Sequence, residues 1–145
     1  MMPLTTKGRY AARIMVYLAR NEGSSPATKH AIGNAEDISA DYVEQIMIRL
    51  KAARLVRSHR GRNGGFSLTR DPDRITLAEV LRSVEGPVCP VPCLYDTCER
   101  APSCPTRPVW KKAANAVERI LEKTTIAQMA RTSAKQGSGN LSYVI

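Results

Sequence analysis

Ser39-Ala40-Asp41-Tyr42-Val43-Glu44-Gln45-Ile46-Met47-Ile48-Arg49-Leu50-Lys51 decides the fold. Val43, Ile46, Met47 and Leu50 recur at i, i+3, i+4 and i+7, the spacing of one helix face, and Ser39 stands where an N-cap accepts an orphan backbone N–H. Ala40, Asp41, Glu44, Gln45, Ile48 and Lys51 fall on other faces. Upstream, Glu36-Asp37 reads as a polar turn, and Thr28 can cap a short helix through Ala35. Two helices joined by a tight turn make a helix-turn-helix. Before them the segment Asn21–Pro26 breaks the pattern. It follows a first helix carrying Ala11, Ile14, Met15 and Leu18 on one face, with Thr5 or Thr6 as its cap.

Downstream, Leu55–His59 and Phe66-Ser67-Leu68 are β-prone runs separated by Arg60-Gly61-Arg62-Asn63-Gly64-Gly65, which predicts a β-hairpin around Asn63-Gly64-Gly65 and so a wing beside the helix pair. Thr76-Leu77-Ala78-Glu79 has the form of a capping box, and Leu77, Val80, Leu81 and Val84 supply the stripe of a fourth helix ended by Gly86 and Pro87. Residues 86–108 hold six prolines and all four cysteines, a loop with little regular structure of its own. Thr106 and Pro108 open a longer helix with Trp110, Ala113, Ala114, Val117, Ile120 and Leu121 on its apolar face, more than so small a body covers, which implies a homodimer. Thr124 or Thr125 caps a last short helical piece. The expected class is mainly α: a winged helix-turn-helix over residues 1–85, a cysteine-rich sensor loop over 86–108, a dimerisation helix region over 109–131 and a disordered tail over 132–145.

Composition agrees with packed helices. Hydrophobic residues make up 43% of the 145-residue chain but aromatics only 5%, so the core must be built of Leu, Ile, Val, Ala and Met. Of the formal charge of +9, residues 1–70 hold twelve Lys/Arg against five Asp/Glu and residues 71–145 ten against eight. The excess is N-terminal, and it points to a polyanion or an anionic membrane surface as partner rather than to a merely solubilising charge. No apolar stretch approaches the ~20 residues that span a bilayer, and no signal peptide is evident, so a cytoplasmic protein with no membrane partner is expected. No Ser/His/Asp or Cys/His/Asn set, carboxylate pair or His-rich motif points to catalysis. The expectation is therefore not an enzyme.

The second helix of such a motif enters the major groove of double-stranded DNA, which makes Ser39, Asp41, Tyr42, Glu44 and Gln45 candidate contacts. A carboxylate can accept from cytosine N4 and an amide can pair with adenine, so Glu44 and Gln45 are the base-reading candidates. From Arg49 to Arg62 there are six Arg/Lys and no acid. Arg49, Arg57, His59, Arg60 and Arg62 complete the candidate DNA-binding set, with Arg60 favoured for insertion into the minor groove. The strand pattern after the glycines excludes Rossmann and P-loop readings, which need a helix there. Cys93, Cys98 and Cys104 form a C-x4-C-x5-C array with Cys89 four residues earlier, a spacing that suits an iron–sulfur cluster better than zinc and also admits a thiol redox switch or inert thiols.

Leu4-Thr5-Thr6-Lys7-Gly8-Arg9-Tyr10-Ala11, Ile38–Ile46, the wing Val56–Phe66 and Cys104-Pro105-Thr106-Arg107-Pro108-Val109-Trp110 together resemble the Rrf2 family of bacterial winged-helix transcriptional regulators, the IscR-, NsrR-, RirA- and CymR-like proteins, over residues 4 to about 130. The resemblance implies a dimer with crossed C-terminal helices and a repressor whose operator affinity follows iron, redox state or nitric oxide. It also implies a 2Fe–2S or 4Fe–4S cluster held by Cys93, Cys98 and Cys104, with Cys89 as a possible fourth ligand. Glu44 matches a base-reading position of the family and Arg60 its minor-groove arginine. The chain departs from the family at two further ligand positions, where it carries Arg107 and Arg9, neither of them an iron ligand. The rival expectations are a cluster-free thiol/disulfide switch, a cysteine-based redox or metal enzyme, and a winged-helix interaction protein that does not bind DNA.

Overall fold

The computed structural model describes residues 4–137, with side chains through Thr132. Among them the order is α1 (Thr6–Arg20), α2 (Lys29–Glu36), α3 (Ala40–Ala52), β1 (Val56–His59), β2 (Gly65–Leu68), α4 (Leu77–Glu85), α5 (Arg107–Lys123) and α6 (Ile126–Gly137), with 3-10 turns at Pro72–Arg74, Pro92–Leu94 and Ala101–Ser103. The fold is mainly α with a two-stranded antiparallel wing.

Each of the first three helices starts where a hydroxyl can take up an orphan N–H. Thr5, Thr28 and Ser39 accept from the N–H groups of Gly8, Ala31 and Tyr42. The Gly8 N–H also donates to Glu85 Oε1 at 2.8 Å, which ties the start of α1 to the end of α4. The turn between α2 and α3 closes on Asp37, left-handed at φ 55° and ψ 51°, and the Ile38 N–H returns to the Gly33 carbonyl at 2.9 Å. A Cβ on Gly33 would stand 2.5 Å from the Ile38 carbonyl oxygen, so the two helices approach this closely only over a glycine. The end of α3 uses a related device: Arg54 is left-handed at φ 58°, its N–H bonds to Lys51 O at 2.9 Å, and the Leu55 N–H bonds to Leu50 O at 3.0 Å. This Schellman turn, with Leu50 and Leu55 both buried, sends the chain straight from α3 into β1.

The strands pair from Val56↔Leu68 to His59↔Gly65. Gly65, read from sequence as part of the turn, is therefore a strand residue, and the connection is Arg60–Gly64. Ala27 joins the sheet as a third-strand fragment: its N–H donates to Phe66 O at 2.9 Å and its carbonyl accepts from the Phe66 N–H at 2.7 Å. Gly65, at φ 152°, fits there because a Cβ would lie 2.6 Å from the Ala27 backbone.

One core unites the body. Ile14, Met15, Ile32, Val43, Ile46, Met47, Leu50, Leu55, Ile75, Val80 and Ile126 are almost fully buried, so truncating any of the large ones should cost about 2–5 kcal/mol. Ile126 belongs to α6, which returns from the C-terminal part of the chain to pack on α1. Its start is fastened by Ile126 N–H to Ile75 O at 2.9 Å and by Leu77 N–H to Thr124 O at 2.8 Å. The expected tail begins differently: α6 continues through Thr132 to Gly137, and the rest of that expectation, 138–145, lies outside the described residues. α5 lies on α4, where Leu121 buries against Ala78 and Leu81 with Val117 packed beside it, and Arg82 pairs with Glu118 and, at 2.8 Å, with Glu122.

Candidate nucleic-acid interface and cysteine loop

The outward face of α3 carries Asp41, Glu44, Gln45, Ile48 and Arg49, all exposed, because the opposite face is committed to the core. The Ser39 hydroxyl is already engaged as the helix cap, 3.2 Å from the Tyr42 N–H. Tyr42 is half-buried, its ring edge-on to Tyr10 with centroids 5.8 Å apart. Besides lying on the candidate surface, these two side chains hold α3 at its N-terminus and against α1. Glu44 Oε2 accepts from Lys29 Nζ at 2.7 Å. The hydrogen bond and charge of Lys29 lower the pKa of the Glu44 carboxyl, and the bond to Glu44 raises that of the Lys29 ammonium. Lys29 was not singled out in the sequence, because only the packing of α2 on α3 brings it across fifteen residues of chain.

The wing presents Arg57, His59, Arg60 and Arg62 to solvent. On its flank, His59 Nε2 lies 2.8 Å from Ser67 Oγ and Arg57 Nε 3.5 Å from the same hydroxyl. The tip is drawn in by Gly64 N–H to Gly61 O at 3.0 Å. Among the described residues no carboxylate pairs with Arg49, Lys51, Arg54, Arg57, Arg60 or Arg62. Four acids of the body are instead taken by other cations: Glu36 by Arg13, Glu44 by Lys29, Glu79 by Arg70 and Asp73 by Arg131. Six cations therefore stand free around α3 and the wing, and that arrangement suits phosphate oxygens.

The loop between α4 and α5 holds the four cysteines as free, half-buried thiols. In kind they suit a thiolate-bound cluster. In arrangement they do not, because among the described residues no three His, Cys, Asp or Glu side chains converge on a point where a metal ion could sit. Cys89 Sγ donates to Val91 O at 2.6 Å, and Cys104 Sγ lies 3.2 Å from Thr106 Oγ1. The Thr106 hydroxyl and the backbone N–H groups of Thr106 and Arg107 lower the Cys104 thiol pKa. Arg107 bonds through its guanidinium to the Cys93 carbonyl, so this cation braces the loop. The loop has two 3-10 turns and no buried residue within them, which leaves packing little means to set the thiol positions.

Comparison with known proteins places these elements in a common setting. The profile of the Rrf2 family, described as "Iron-dependent Transcriptional regulator", matches residues 4–132. The HTH-type transcriptional regulator CymR of Bacillus subtilis is 34% identical over 143 residues, covering 99% of this chain and 100% of its own. The solved structure of CymR, the global cysteine regulator of B. subtilis, superposes with a TM-score of 0.78 at 37% identity, covering 91% of this chain and 98% of that one. T. potens IscR superposes with a TM-score of 0.75 at 30% identity, over 97% and 94%.

Proposed function

We propose, from the premise that this chain belongs to the Rrf2 family of transcriptional regulators, that it is a cytoplasmic homodimeric repressor that reads its operator with α3 and the wing and takes its signal at the cysteine loop. The observation that carries the DNA part is the set of six cations, Arg49 to Arg62, that pair with no carboxylate among the described residues, on and after a helix whose outward face is exposed and mostly polar. Glu44 and Gln45 contact bases, while Arg57, Arg60 and Arg62 contact phosphate and minor groove. Among the described residues no helix is long and apolar enough to cross a membrane.

The dimer reading rests on α5. The expected apolar face divides: Val117 and Leu121 pack on α4, whereas Trp110 and Ile120 remain 39% and 65% exposed with Ala113 half-buried between them, and Val109, outside the expected face, is 57% exposed. A second copy is the occupant that also supplies the two-fold symmetry of paired half-sites.

For the signal, the iron reading takes Cys93, Cys98 and Cys104 as ligands to an iron–sulfur cluster with Cys89 as a fourth candidate. It is supported by the three thiols and by the family's description as iron-dependent. The second reading is a thiol switch without a metal, favoured by the lack of convergence among the thiols and by the similarity to the global cysteine regulator. Anaerobic purification of the wild type and of the four single Cys→Ser variants, with iron analysis and absorption spectra, tests both. Iron lost from Cys93→Ser, Cys98→Ser and Cys104→Ser supports the cluster. Colourless wild-type protein after reconstitution, with operator affinity that responds to oxidation and reduction, supports the switch.

A further inference from the structure

Among the described residues that precede the cysteine loop, only Leu4 and Ile48 are exposed large hydrophobics, and Ile48 lies on α3 at 63% exposure. With Val43, Ile46, Met47 and Leu50 facing the core, the 3.6-residue repeat puts Ile48 near the middle of the outward face, one turn beyond Glu44 and Gln45 and two beyond Asp41. Helix propensity does not explain it, since a β-branched residue at an exposed helical position is less favourable than Ala, Lys or Leu. Nor does the core, which Ile48 does not touch. Its neighbours on that face are charged or amide side chains, so an apolar group there has a use only when something apolar is brought to it.

The major groove offers one apolar group at the base edge, the C5-methyl of thymine. We propose that Ile48 is a specificity-determining residue that packs on a thymine methyl in each half-site. This deepens the operator reading above and rests on it. The stiff χ1 of isoleucine means that little side-chain freedom is lost when the contact forms. Glu44 and Ile48 are separated by four residues, about 6 Å of helix rise, which corresponds to roughly two base-pair steps. The thymine should therefore lie about two pairs from the one that Glu44 reads.

The test selects binding sites for the full-length wild type, Ile48→Ala and Ile48→Ser from a random duplex pool, then replaces each thymine of the wild-type site in turn by deoxyuridine, which lacks only the methyl. At one position per half-site, loss of the methyl should weaken wild-type binding about fourfold and leave both variants unaffected. The variants should keep the wild-type thermal unfolding curve and its affinity for random DNA, and their selected sites should lose the thymine preference there. Deoxyuridine scanning with no effect on the wild type, or an effect equal in the variants, overturns the assignment to Ile48 while sequence-selective binding by the wild type preserves the operator reading. A wild type that selects no sequence overturns both.

Discussion

Gly33→Ala adds one methyl group at the closest approach in the helix-turn-helix. The new Cβ would stand 2.5 Å from the Ile38 carbonyl oxygen, whereas such carbon–oxygen contacts ordinarily lie at about 3.3–3.6 Å. The turn must therefore open by close to 1 Å or the end of α2 must shift, and the obstacle is backbone, which no rotamer change can relieve. Overpacking of this kind costs about 1–3 kcal/mol. Displacement of the Ile38 N–H to Gly33 O bond, 2.9 Å long, adds about 1 kcal/mol. The better helix propensity of alanine returns about 1 kcal/mol. The net expectation is a loss of about 2 kcal/mol, or a melting temperature lower by roughly 6 °C for a chain of this size. Asp37→Gly is the companion. Asp37 is left-handed in the same turn, so glycine relieves about 1 kcal/mol of strain and loses nearly as much to unfolded-state entropy. It should stay within about 0.5 kcal/mol of wild type. Urea unfolding of all three proteins at one protein concentration measures both differences. A Gly33→Ala midpoint equal to that of the wild type would refute the claim that this contact sets the angle between α2 and α3.

Arg60→Ala should weaken DNA binding and make the slope of log affinity against log salt shallower by about 1.8 for a dimer, 0.9 per phosphate-directed cation, whereas Glu44→Ala should alter base preference and leave the slope unchanged; salt titrations on operator and random DNA separate the two. Burial acts to raise the Glu79 pKa, but the Thr76 backbone N–H, the charge and hydrogen bond of Arg70 and the Thr76 hydroxyl outweigh it, so the folded value is lowered from 4.5. Its stabilising effect is then present above the unfolded value and lost as pH falls through the lower folded one, so Glu79→Gln should flatten the acid limb of stability in urea unfolding across that range. Ile120→Glu places a charge on the exposed edge of α5 and should shift the mass found by light scattering from dimer to monomer at micromolar concentration, with the thermal stability of the monomer body retained.

The three N-caps, the capping box and the helix-turn-helix were legible because they are local. Thr28, Ser39 and Thr76 act on N–H groups three residues ahead, and the core face of α3 follows from a spacing of three and four. The basic run Arg49–Arg62 was equally plain, since charge is a property of composition. The resemblance to the Rrf2 family also came from contiguous stretches, and the matches to CymR and IscR agree with it.

What the chain does between distant segments was not legible. That Ala27 completes the wing, that Lys29 holds Glu44 and that Ile126 closes the core beneath Ile75 are pairings across fifteen to fifty-one residues, and no periodicity records them. The apolar stripe of α5 could be counted in the sequence, but its division into a face against α4 and a face left open depends on where α4 ends. The sequence by itself determined the helices, the wing and the charge, because caps, spacing and turn residues act within a few positions of one another. Only the tertiary structure decided which cations stay unpaired, which side chains of α3 remain free and how far apart the thiols lie, because these depend on which distant groups share space once the core has closed.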